Sequence, residues 1–212
     1  MVTGRSRRRE LRARRTGVVM TVVLVVSTGL VASAALRPGS PATATAICPG
    51  AVTSGAPGTT GAVPTVPAGA LPATLLAAPD RLALLPVFRH WASVCALPAS
   101  LLEATCWWES GWQESAVSVT GAVGLCQIEP AAAETVRGLL DDGALDPRSS
   151  SDNIEMSAAY LRWLLDQTGG SRDLALAGYY QGLTSVRQHG ILAISRPYVA
   201  GISALLADYQ WS

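Results

Sequence analysis

The chain contains no lysine, and all sixteen of its basic residues are arginine. Seven of them fall between Arg5 and Arg15, opposed only by Glu10. Beyond Ala34 the balance reverses, with nine arginines against fourteen acids and a net charge of −5. That body lacks the basic face a nucleic acid requires, so a nucleic-acid partner is excluded. Histidine is scarce as well. His90 and His189 stand alone without metal-ligand spacing, and the four cysteines include no C-x-x-C pair. A zinc site is thereby excluded, and neither metal nor cofactor is expected. Charge is missing altogether between Pro38 and Pro79, where eight of the thirteen prolines gather among Gly, Ala, Thr and Ser. Such a tract buries too little apolar surface to fold, so residues 37–79 are expected to be a disordered linker. No internal repeat is visible, and 212 residues suit one ordinary domain plus extensions.

The N-terminus is a basic head followed by an apolar run from Gly17, centred on Val18 to Val26, and by small residues that include Ala32-Ser33-Ala34. This order reads as a secretory signal with an A-x-A-type exit. Gly17 to Leu36 is also long enough to span a bilayer. Residues 1–36 are therefore either a signal peptide or an N-terminal membrane anchor. Both readings export the protein, which is expected outside the cytoplasmic membrane, secreted or held at the wall or membrane. In an exported chain Cys48, Cys95, Cys106 and Cys126 favour disulfides, with three possible pairings.

Order is expected to begin near Asp80 and to continue to residue 212 as one domain. Arg81 to Ala96 has helical character interrupted by Pro86. Ser100 and Glu103 form a capping box that opens the next helix, and Gly111 stops it. Trp112 to Ile128 reads as a loop with a short hairpin. Pro130 suits the first turn of a helix over Ala131 to Leu140. Asp152 and Glu155 form a second capping box, and Gly169-Gly170 ends that helix. Ser171 opens a helix reaching Gln181, a short one runs from Thr184 to His189, and Ser195 caps the last. Its inner face is Val199, Ile202, Leu205 and Leu206.

Within the helix that begins at Ser100, Leu102, Cys106 and Glu109 form one row beside Leu101, Thr105 and Trp108. Glu109 thus lies along a largely apolar face in the last turn. Burial and the negative end of the helix dipole both disfavour its charged form. A raised pKa is what a general acid near neutral pH requires. The plainer alternative is a core-edge glutamate bonded to a buried donor. Glu103 as a cap and Glu114 beyond the stop have ordinary explanations. Trp107, Trp108 and Trp112 are candidates for stacking on a ligand, with Trp108 assigned instead to core packing.

Glu109-Ser110-Gly111, then Gly124-Leu125-Cys126-Gln127-Ile128-Glu129-Pro130, then Ala177-Gly178-Tyr179-Tyr180-Gln181-Gly182, then Tyr198 follow one another in order. This series resembles the soluble lytic transglycosylases of the goose-lysozyme-like superfamily, over roughly Leu82 to Leu206. The resemblance implies a lysozyme-like α+β domain over 80–212, predominantly helical, with a short β-hairpin near the site. It implies a monomeric enzyme acting on peptidoglycan glycan strands. Glu109 would protonate the bond between N-acetylmuramic acid and N-acetylglucosamine, then act as base on the muramic 6-hydroxyl to leave a 1,6-anhydro end. Ser110, Gln127, Tyr179, Tyr180 and Tyr198 match positions that bind substrate or contact the acid, although Tyr180 stands where asparagine is usual. Cys126 replaces a common methionine. The motif holding it must approach the Glu109 helix, so a Cys106–Cys126 bridge is expected, leaving Cys48 with Cys95. Glu129 also departs from the pattern. It is expected to point outwards as the cap of the following helix, the alternative being a base that activates water in a lysozyme-type hydrolase. A non-catalytic wall-binding protein that keeps the groove is the remaining reading.

Overall fold

A computed structural model of the chain describes residues 47–49, 65–67 and 69–211. The expected signal or anchor over 1–36 lies outside the described residues, as does most of the expected linker. The end of that linker needs correction, because residues 69–79 are folded. Helices α1 (Ala73–Leu76) and α2 (Pro79–Leu82) follow one another there, and Leu71 and Leu75 are buried in the core. Pro72 and Pro79 open these helices rather than break them, since a helix start does not need the N–H that proline lacks. Two further ties hold this segment. Cys48 is bonded to Cys95, and Gln210 N–H donates to the Ala70 carbonyl at 2.7 Å.

Pro86 likewise lies in the first turn of α3 (Leu85–Val94) and does not interrupt it. Helix α4 (Ala99–Ser110) begins directly after Pro98, so Ser100 is already inside it and makes no cap. Glu103 is fully buried on its inner face, and the expected capping box is not formed. Gly111 ends α4 at φ 67°, with its N–H bonded to the Trp107 carbonyl, as a left-handed stop should. After α5 (Pro130–Leu140), helix α6 (Ser150–Gln167) is capped by Ser149, whose side chain accepts from Asp152 N–H. That is one turn earlier than the expected Asp152–Glu155 box. Ser171 caps α7 (Arg172–Gln181) as expected, accepting from Leu174 N–H. Helices α8 (Leu183–His189) and α9 (Arg196–Asp208) complete the order. Ser195 sits at the start of α9 without a side-chain cap bond.

The segment expected to hold a hairpin carries only isolated antiparallel bridges. Among the described residues these are Val117 to Val123 and Val123 to Ile128, so the fold is predominantly helical with almost no strand. Ser118 N–H donates to the Ala122 carbonyl at 2.9 Å, but the return bond is diverted to a side chain. The Ser118 hydroxyl accepts from both Thr120 N–H and Ala122 N–H, and the chain turns there.

Helix α6 runs through the middle and packs against α3, α4, α5 and α7, burying Ile154, Met156, Ala158, Leu161 and Leu164 completely. Of Trp107, Trp108 and Trp112, the last is the one buried in the core, stacked on Phe88 at 4.3 Å with Trp107 edge-on at 6.2 Å. Trp108, expected in the core, is 41% exposed. Its ring lies over Gly201 of α9, where an added Cβ would come within 2.1 Å of it. The missing side chain lets α9 approach α4 closely enough to bring a tyrosine to Glu109.

Candidate active site

Glu109 ends α4 one residue before its last position, half-buried, with its carboxyl desolvated. Tyr198 Oη donates to its Oε1 at 2.6 Å. Burial raises the Glu109 pKa to about 8; the Tyr198 bond opposes the rise and the charge of Glu129 adds to it. Near neutral pH the group therefore carries its proton, as a general acid must. Tyr198 is buried on α9 and stacks on Tyr180 of α7, ring centroids 4.9 Å apart. Burial pushes the Tyr198 and Tyr179 hydroxyls well above their ordinary values, and the nearby Glu109 charge pushes the same way. Both remain donors at any pH where Glu109 works.

The loop from Gly124 to Ile128 forms the opposite wall, held from four sides. The Cys106–Cys126 disulfide ties it to α4, the pairing expected from the resemblance. Ser110 Oγ donates to the Leu125 carbonyl at 2.7 Å and accepts from Gln113 N–H at 2.9 Å. Ser110 thus fastens the helix end to the loop, and it is not among the residues lining the cavity. Tyr179 Oη donates to the Cys126 carbonyl at 2.8 Å and contacts Ser157 Oγ at 3.1 Å. Asn153, on α6, is the fourth tie. Its Oδ1 accepts from Cys126 N–H at 2.8 Å, while Nδ2 donates to the carbonyls of Val123 and Pro147 at 2.9 and 2.7 Å. Gly124 has φ +77°, and a Cβ there would lie 2.5 Å from Asn153 Nδ2, which explains the glycine at this motif position.

A cavity of about 350 Å³ opens beside this loop, lined by Gln127, Glu129, Tyr160, Tyr179, Tyr180 and Leu192 among others. Gln127 folds back on its own loop, Nε2 donating to the carbonyls of Ala116 and Gly124 at 3.2 and 3.0 Å. Glu129 does not take the outward capping role expected of it. It occupies the N-cap position of α5 without a side-chain cap bond, and its Oε1 accepts from Thr120 Oγ1 at 2.6 Å. The hydroxyl of Thr120 reaches the carboxylate before the helix N–H groups do.

Three contributors escaped sequence reasoning. Asn153 signalled itself only as a polar residue on the inner side of an apolar helix. Gln181 fixes the far wall, Nε2 donating to Ser185 Oγ and the Gly190 carbonyl and Oε1 accepting from Leu192 N–H, each at 3.0 Å. Thr120 sat in a segment read simply as loop.

Two expected results arise here. Asn153→Leu should lower stability by about 3–5 kcal/mol, because it strands a buried N–H and two carbonyls at once; urea unfolding measures it. Tyr198→Phe should lower turnover roughly 10- to 100-fold, the scale of a hydrogen bond to a charged group. Because the lost bond held the Glu109 pKa down, the basic limb of the pH–rate profile should move to higher pH. A basic limb that stays in place would separate Tyr198 from the acid.

A helical domain that buries one carboxyl at a helix end, under a tyrosine and beside a tyrosine-walled cavity, is the frame of a lysozyme-like glycan-cleaving enzyme. The model of the transglycosylase SLT domain matches residues 86–195, just over half of the chain, and the protein belongs to that family. The chain is 33% identical over 105 residues to the soluble lytic murein transglycosylase of Escherichia coli K12, a match covering 48% of this chain and 16% of that protein. It therefore corresponds to about a sixth of the length of that relative. Among solved structures it is similar to the 70-kDa soluble lytic transglycosylase of Escherichia coli, with a TM-score of 0.55 and 25% identity over 58% of this chain and 23% of the other. An inactive variant of the lytic transglycosylase Slt of Pseudomonas aeruginosa gives a TM-score of 0.52 and 25% identity, over 57% of this chain and 22% of that one.

Proposed function

We propose that this protein is an exported peptidoglycan lytic transglycosylase in which Glu109 acts first as acid and then as base. The observation that carries the reading is the desolvated Glu109 carboxyl, its pKa raised to about 8, under the 2.6 Å bond from Tyr198. Glu109 delivers its proton to the oxygen joining N-acetylmuramic acid to N-acetylglucosamine as the C1–O bond breaks. An oxocarbenium-like centre develops at the muramic C1. The new Glu109 carboxylate, steadied by Tyr198, takes the proton of the muramic 6-hydroxyl, and that oxygen closes on C1. Glu109 is thereby reset without water, and the product ends in a 1,6-anhydro sugar. Gln127, Tyr179 and Tyr180 line the cavity, Tyr180 connects it to Glu109 by stacking on Tyr198, and the tyrosine rings offer a surface to a sugar chain.

Incubating the purified chain with cell-wall sacculi and weighing the released muropeptides by mass spectrometry tests this. The expected ends are one water lighter than the hydrolysed equivalents. Reducing-end muramic acid as the main product would replace the transglycosylase with a lysozyme-type hydrolase, and no release at all would leave a wall-binding protein.

A further inference from the structure

We propose that the tyrosine-walled cavity is an amine-recognising subsite, in which Glu129 takes a protonated primary amine carried by the glycan strand or by the peptide attached to it. The wall has few donors left to offer a ligand. Gln127 Nε2 gives both its hydrogens to its own loop, at the Ala116 and Gly124 carbonyls. Gln181 Nε2 gives both of its own to Ser185 Oγ and the Gly190 carbonyl, and its Oε1 accepts from Leu192 N–H. Tyr179 Oη donates to the Cys126 carbonyl. All three residues line the cavity, yet these polar groups serve the protein itself. Among the described residues the lining includes no arginine and no histidine, and the chain has no lysine. Glu129 is the one charged residue in that wall.

A chain of hydroxyls fixes Glu129, which is half-buried. Ser118 Oγ accepts from Thr120 N–H at 3.2 Å and Ala122 N–H at 2.9 Å, which leaves its own hydrogen for Thr120 Oγ1 at 2.8 Å. Thr120 Oγ1 then donates to Glu129 Oε1 at 2.6 Å. A carboxylate only accepts, and its two oxygens offer about four lone-pair sites. The Thr120 hydroxyl fills one of them and brings no positive charge. Tyr160, Tyr179 and Tyr180 add their rings to the same wall, with Tyr160 and Tyr179 5.5 Å apart and tilted by 58°. The face of such a ring attracts a cation. A carboxylate beside tyrosine rings is matched by a small group that is positive and donates several hydrogens, which describes a protonated amine. A ligand carboxylate would meet charge of its own sign and no cation. The inference rests on the proposed function for its ligand, a peptidoglycan strand, and adds what the cavity selects within it. Such a strand can carry the amine on an amino sugar that has lost its acetyl group, or on a diamino acid of the stem peptide. Glu129 takes no part in bond cleavage in this scheme.

Binding to the full chain tests it, with Glu109→Gln as the background so that the ligands stay intact. One pair of probes is an oligomer of glucosamine and an N-acetylglucosamine oligomer of equal length. The other is a disaccharide–peptide fragment with its stem amine free or acetylated. In mildly acidic buffer of low ionic strength, a free-amine probe should bind about tenfold more tightly than its acetylated counterpart. The preference should shrink in added salt. It should vanish when Glu129→Gln is introduced, while the acetylated probes bind as before. Thr120→Val keeps the charge but removes the bond that fixes it, so the preference should weaken without vanishing. The pair that shows the preference assigns the amine to the sugar or to the stem peptide. No preference in either pair, or a preference that Glu129→Gln retains, overturns the proposal. Equal loss of free-amine and acetylated probes in Glu129→Gln would make Glu129 an acceptor for sugar hydroxyls and overturn it as well. A parent that releases nothing from sacculi, while the preference holds, removes the cleavage reading and leaves the amine subsite in place.

Discussion

Replacing Glu109 with Gln is expected to abolish glycan cleavage while leaving the fold intact. Loss of acid catalysis alone removes at least ~10²-fold in rate. The expected loss is larger here, because one group is assigned both the protonation of the leaving oxygen and the deprotonation of the 6-hydroxyl. The amide is isosteric, and its oxygen can still accept the Tyr198 bond that Glu109 accepts at 2.6 Å. Stability provides an independent check. Glu109 has an ordinary pKa when unfolded and about 8 when folded, so between those values the folded state holds a proton that the unfolded state has released. Stability of the parent should be highest below the unfolded value, fall as pH rises through this window, and level off above about 8. Glu109→Gln removes that dependence. The variant should be the more stable protein at pH 9, by an amount on the order of a few kcal/mol. Thermal unfolding of both at pH 5 and pH 9, beside muropeptide release, separates lost chemistry from lost structure. Near-normal turnover in the variant would remove Glu109 from the acid's role.

Truncation is expected to give the second large effect, and its boundary matters. A chain beginning at Ile47 should keep the fold, whereas one beginning at Asp80 should not reach the parent's stability. The longer deletion removes Cys48, partner of Cys95 across 47 residues of sequence. Closing a loop of that size contributes about 4 kcal/mol in the chain-entropy model. It also removes Leu71 and Leu75, both buried, worth about 1.5–3 kcal/mol each. The Ala70 carbonyl that receives Gln210 N–H goes with them, loosening Trp211 where it meets Trp112 at 6.2 Å. Together these losses approach the whole stability of an ordinary domain, about 5–15 kcal/mol. Cys48→Ala in the longer chain should show the disulfide's share alone. Non-reducing thermal melts of the three proteins measure the effect, and an Asp80 chain as stable as the Ile47 chain would show the segment to be dispensable.

The sequence by itself marked Glu109 as the candidate acid and set the order of the motifs around it along the chain. Glu109 on an apolar row, Gly111 as the left-handed stop and Ser171 as a cap were legible, because each rests on local spacing, while the Cys106–Cys126 pairing followed from the resemblance. The α4–α9 crossing was not legible. It depends on Gly201 meeting Trp108, two residues far apart in sequence, and it alone carries Tyr198 to Glu109. The same holds for Asn153, which looked like part of a helix start and became the anchor of the Gly124–Ile128 loop by reaching three backbone groups outside its own helix. Local rules misplaced Glu103 and the linker's end because burial overrode them, and misplaced Trp108 because its ring lies over Gly201 of α9. They misplaced Glu129 for a different reason. A carboxylate at a helix start has two competing donors, the helix N–H groups and whatever the fold brings nearby, and only the folded turn at Ser118 and Thr120 decides between them.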